Sequence, residues 1–185
     1  MTRLLPSFPF LQDLTIDGES SGLPIELDDT QLWSIFEPLL ELERLEVLNY
    51  NLSVPVSDQK TLQIACAWPR LKESYAYHNS ASGLASLESL AYFARHCPNL
   101  EHLSYSIQVQ TATTSTPVIQ DHPTSSTHPL RSFWCNVETD KVTAHTMAQG
   151  LYQMFPNLEE ADGPGDGWTQ VKKKLRSLQN RQFEE

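Results

Sequence analysis

The feature that most constrains this chain is a proline two residues ahead of a leucine that opens a short apolar pattern, and it keeps returning. In "CPNLEHLSY", from Cys97, proline follows what reads as the last residue of a helix. "FPNLEEADG" from Phe155, "WPRLKESYA" from Trp68 and "FPFLQDLTI" from Phe8 repeat the arrangement, and "LERLEVLNY" from Leu42 and "HPLRSFWCN" from His128 are looser copies. Proline has no N–H and disfavours helical geometry in the residue before it, so it stops a helix, and the leucine that follows opens a strand. The anchors Leu11, Leu45, Leu71, Leu100, Leu130 and Leu158 lie 34, 26, 29, 30 and 28 residues apart.

Within each copy L-x-x-L-x-L places apolar residues on one side of a short strand: Leu11, Leu14 and Ile16; Leu45, Leu48 and Tyr50; Leu100, Leu103 and Tyr105; Leu130, Phe133 and Cys135. Two copies are poor, with Ser74 and Ala76, and Ala161 and Gly163, at the inward positions. Either those strands are weak or their register differs from this alignment, because a one-residue slip exchanges the faces.

Amphipathic stretches lie between the strands. "DDTQLWSIFEPLLEL" offers a cap within Asp28 to Thr30 and apolar Leu32, Ile35, Phe36, Leu39 and Leu40. "SDQKTLQIACAW" starts on Ser57 as cap, and "ASLESLAYFARHC" and "TDKVTAHTMAQGLYQMF" continue the theme. A C-terminal helix over 168–183 presents Trp168, Val171, Leu175 and Leu178 on one stripe. The expected fold is therefore α/β: a leucine-rich-repeat-like solenoid of about six irregular strand-helix repeats over 1–185. Short parallel strands would line its concave side and helices its convex side. One copy lacks its helix: in "SIQVQTATTSTPVIQDHPTSSTHP" 13 of 24 residues are Ser, Thr or Pro, so 108–128 reads as a flexible loop within the domain.

A chain of 185 residues can bury a core without staples. Its net charge of −10 argues against nucleic acid or anionic lipid as partner. Cys66, Cys97 and Cys135 are odd in number and widely spaced, which fits reduced thiols in cytoplasm or nucleus. No segment approaches the roughly 18 apolar residues of a membrane span, and Pro6 and Pro9 interrupt any leader-like run.

Catalytic signatures are lacking: there is no G-x-S-x-G, no H-E-x-x-H and no phosphate loop, since "ADGPGDGW" is an acidic turn. His96 beside Cys97 sits where helix packing accounts for both. His122, His128 and Cys135 match no usual zinc spacing. "KKKLR", Lys172 to Arg176, reads as the solvated face of the last helix. No enzyme activity, cofactor or metal is expected.

Strand alternation instead yields a candidate protein-binding face: Asp13, Thr15, Asn49, Asn51, Glu73, Tyr75, Tyr77, His102, Ser104, Trp134 and Asn136. Exposed aromatics among polar groups suit protein recognition. In a slipped register, Tyr75, Tyr77 and Trp134 would fill the core instead.

"SDQKTLQIACAWPRLKESY" and "ASLESLAYFARHCPNLEHLSYSI" resemble the leucine-rich-repeat region of the F-box protein families of basidiomycete fungi, with the likeness best over 57–107 and 140–178. The resemblance implies a module that recognises substrates for a ubiquitin ligase. An F-box, which would dock the ligase adaptor, is not recognisable: the chain opens on the strand at Phe8 to Ile16, and "LPIELDDTQLWSIFEPL" lacks the box's second half. A ligase adaptor is a partner only if an F-box lies upstream. The alternative is a truncated or degenerate structural fragment of a larger repeat protein.

Overall fold

The structure, a computed structural model, describes residues 8–17, 29–51, 56–76, 85–108, 128–136, 139–140 and 143–181. Its elements run β1 (Asp13–Asp17), α1 (Asp29–Phe36), β2 (Val47–Asn51), α2 (Asp58–Ala67), β3 (Glu73–Ala76), β4 (Ala85–Ser86), α3 (Leu90–His96), β5 (His102–Ser104), β6 (Ile107–Gln108), β7 (Ser132–Trp134), α4 (Thr143–Met154), β8 (Glu160–Asp162) and α5 (Gly167–Arg181). Six strands form one open parallel sheet in the order β1-β2-β3-β5-β7-β8, and β4 pairs with β6 in a two-stranded ribbon.

The leucine alignment is the pairing register. Asp13, Val47, Glu73, His102, Ser132 and Glu160, each two residues past its anchor leucine, are successive partners across the sheet. Just before each strand, one carbonyl accepts two consecutive N–H groups of the next copy: Gln12 from Glu46 and Val47, Glu46 from Lys72 and Glu73, Lys72 from Glu101 and His102, Glu101 from Arg131 and Ser132, Arg131 from Glu159 and Glu160. Their side chains alternate in sign from Glu46 onward, and Lys72 meets Glu46 at 2.6 Å while Arg131 meets Glu159 at 3.6 Å.

The recurring proline has a defined place. Trp68, Cys97 and Phe155 each donate their N–H to the preceding helix and accept a hydrogen bond from Leu71, Leu100 and Leu158 respectively, so Pro69, Pro98 and Pro156 hold the second position of a four-residue turn. Its φ is fixed in the range that position needs. "HPL" is one residue shorter, and there His128 Nδ1 accepts the Leu130 N–H at 3.2 Å in place of a main-chain carbonyl.

One hydrophobic cluster joins the inward strand residues to the helices. The two poor copies keep the aligned register, since Ser74, Ala76 and Ala161 are all buried. Small residues stand there because neighbours fill the space. Tyr50, the cross-strand partner of Ala76, is buried, as is Tyr105, which bonds Thr61 Oγ1 at 2.8 Å. At the other end Trp168 packs on Phe133, and a Cβ on Gly163 would strike its indole.

Helix boundaries follow local chemistry. The Ser57 hydroxyl caps α2, accepting from the Lys60 N–H. Pro38 ends α1, and the chain continues as a 3-10 turn over Glu37–Glu41. Two expectations need correction. Ala85–Ser86 is a strand rather than the start of a helix, held by the Asp58 carboxylate, which accepts from both the N–H and hydroxyl of Ser86. Of the loop expected over 108–128, Gln108 pairs with Ser86 and His128 is buried; 109–127 lie outside the described residues. The last helix is Gly167–Arg181, one residue earlier at its start than expected. Gly165, at φ 88°, lets the chain double back into it.

Candidate functional site

Outward side chains of the six strands form two rows. One carries Asp13, Val47, Glu73, His102, Ser132 and Glu160, the other Thr15, Asn49, Tyr75, Ser104, Trp134 and Asp162. The candidate face is therefore brought together largely as expected, with Asp17 and Asn51 paired beyond it on β1 and β2. Tyr75 is half-buried and Trp134 is 46% exposed, so neither ring belongs to the core in a slipped register. Tyr77 lies outside the described residues.

Ser104 is a correction to the candidate set. It points outward but is buried, and its hydroxyl donates to the Ala76 carbonyl at 3.2 Å. Asn136 Nδ2 donates to the same carbonyl at 2.7 Å, so its side chain reaches from the end of β7 across β5 to β3 and covers Ser104. Its Oδ1 accepts the Trp134 indole N–H at 2.8 Å. Trp134 is thus exposed and yet fixed in orientation, through Asn136, to the backbone of β3.

Beside Trp134 lies a cleft of about 300 Å³ between β7, β8 and α5, lined by Ser132, Trp134, Glu160, Asp162, Lys172 and Arg176 among others. Here α5 runs back along the outer edge of β8. Lys172 Nζ meets Asp162 at 2.6 Å, and Gln179 donates to the carbonyls of Pro156 and Leu158. Partial burial pushes the Asp162 carboxyl up, but the Lys172 ammonium and the Gly163 N–H outweigh it and hold its pKa below the ordinary value. Lys172 is therefore engaged with the sheet rather than part of a free solvated face, and Arg176 lies one helical turn further along the cleft wall. Sequence reading missed this cleft. The i, i+4 spacing of Lys172 and Arg176 against the i, i+2 spacing of Asp162 and Glu160 was the available signal, legible once α5 is known to lie antiparallel to β8.

The chemical alternatives fall on buried positions. Burial pushes the Cys97 thiol up to about 12, with its sulfur against the carbonyls of Ala65 and Trp68, so it is no thiolate nucleophile at neutral pH. His128 Nε2 lies 3.2 Å from the Cys97 carbonyl and its ring stacks edge-on against Phe155, so both nitrogens are occupied in packing the core. Among the described residues no group of three His, Cys, Asp or Glu is placed to hold a metal ion, and no helix is long and apolar enough to cross a membrane.

These elements define an α/β protein built on a six-stranded parallel sheet, with a polar outer face and one fixed, exposed tryptophan. Compared with models of known protein families and with curated proteins, the sequence matches none.

Proposed function

We propose that this chain is a non-catalytic protein-recognition module of the leucine-rich-repeat kind, binding a protein partner across the outer face of its parallel sheet. The observation that carries the reading is Trp134: a large apolar ring, 46% exposed, that loses little freedom on binding because Asn136 already holds it. The likeness of 57–107 and 140–178 to F-box repeat regions makes substrate recognition for a ubiquitin ligase, in cytoplasm or nucleus, the setting we assign to it. Crosslinking of the full chain to its partners in cell extract, wild type against Trp134→Ala, tests the reading. A partner lost in the variant at unchanged melting temperature supports it; an identical partner set overturns it.

A second reading, a structural fragment of a larger repeat protein without activity of its own, is favoured by the first turn, where Phe8 and Phe10 are 56% and 72% exposed. Sedimentation and thermal melting separate the two. Aggregation and a broad melt favour the fragment, and a monodisperse, cooperative chain favours the recognition module.

A further inference from the structure

Charge on the outer face is one-sided. The strand positions facing out carry Asp13, Asp17, Glu73, Glu160 and Asp162, and no lysine or arginine stands among them. Asp162 is matched by Lys172, whereas no ion pair to Asp13, Glu73 or Glu160 forms among the described residues. Among the described residues Arg176, at the rim of the cleft, forms no ion pair, so carboxylates dominate.

From this we infer that the outer face takes an extended, lysine- or arginine-bearing segment of a protein partner, with a side-chain cation lying against the Trp134 ring between Glu160 and Glu73. The inference rests on the recognition reading above and names the partner's chemistry. Glu160 is a diagonal neighbour of Trp134 on the adjacent strand, about 7–8 Å away between Cα atoms, within reach of a guanidinium that stacks on the indole. Cation–π attraction and a charge-assisted hydrogen bond then act on one group. Six strands spaced about 4.8 Å apart make a strip roughly 24 Å long, which an extended segment of about seven residues spans. A nucleic acid or an acidic segment meets repulsion on the same strip.

The test is fluorescence anisotropy of the full chain with fluorescein-labelled hepta-arginine and hepta-glutamate. Hepta-arginine is expected to bind, about 10-fold more weakly to a Glu73→Gln, Glu160→Gln variant and several-fold more weakly to Trp134→Ala. A Glu37→Gln, Glu88→Gln variant carries the same change in net charge away from the face and is expected to bind like wild type. Equal weakening by the two glutamine pairs, or no binding of hepta-arginine, overturns the inference. Hepta-glutamate binding that Trp134→Ala abolishes also overturns it, while leaving the face as a recognition surface; loss of the face itself is read separately, from an unchanged crosslinked partner set in Trp134→Ala.

Discussion

At its C-terminal end the sheet is finished by α5, which lies along β8, supplies side-chain amide donors to its leading carbonyls and buries Trp168, Val171 and Leu175 in the core. At its N-terminal end β1 pairs, among the described residues, with β2 alone, and its inward residues Leu14 and Ile16 are only half-buried, whereas Leu48, Leu103 and Phe133 are fully buried. Strand propensity and pattern favour the N-terminal end, where Leu14, Thr15 and Ile16 stand against Glu160, Ala161 and Asp162 in β8. What outweighs them is the layer behind the strand, since a strand face is stabilised by what packs on it and a free edge invites further pairing. The N-terminal end is therefore the expected site of fraying, and the C-terminal end the expected stable body.

The sharpest way to break this contrast is Trp168→Ala, which empties the space against Phe133 and Gly163 and should cost about 3–5 kcal/mol in urea unfolding; a cost under about 1 kcal/mol would mean that α5 is not part of the core. His128→Phe keeps the ring contact with Phe155 but strips the buried Leu130 N–H of its acceptor, for an expected loss of about 1–3 kcal/mol. The same residue gives a pH dependence. Burial lowers the His128 pKa below its ordinary value, against the raising effect of the Cys97 and Phe93 carbonyls, so the unfolded chain takes the proton first. Its contribution is complete above about pH 6.5 and is lost as pH falls through the folded value; the Phe variant should lack that slope.

Leu14→Ala at the other end should cost only about 1 kcal/mol, because its side chain is already partly in water, and hydrogen exchange should show β1 amides opening well below the global unfolding energy. Equal costs for Leu14→Ala and Trp168→Ala would abolish the distinction between the ends. Smallest of all is Lys172→Ala, which removes a half-exposed ion pair worth about 0.2–1 kcal/mol and should disappear into the error of a measurement in high salt.

The periodic leucines carried the strand positions, the pairing register and the turn geometry, because parallel strands one copy apart place equivalent residues side by side and Pro69, Pro98 and Pro156 punctuate their copies with the same bond. The outward placement of Tyr75 and Trp134 was legible by alternation, and so was the α5 stripe. Local pattern could not decide why Ser74, Ala76, Ala161 and Gly163 are small, which depends on Tyr50, Tyr105 and Trp168 arriving from elsewhere in the chain to occupy the volume above them. Nor could it show that Ser104 is covered, that Asn136 reaches 60 residues back to the Ala76 carbonyl, or that Lys172 crosses to Asp162. Periodicity reports which face a residue takes, since that is a property of the backbone of its own strand. What lies over that face is settled only when distant segments meet.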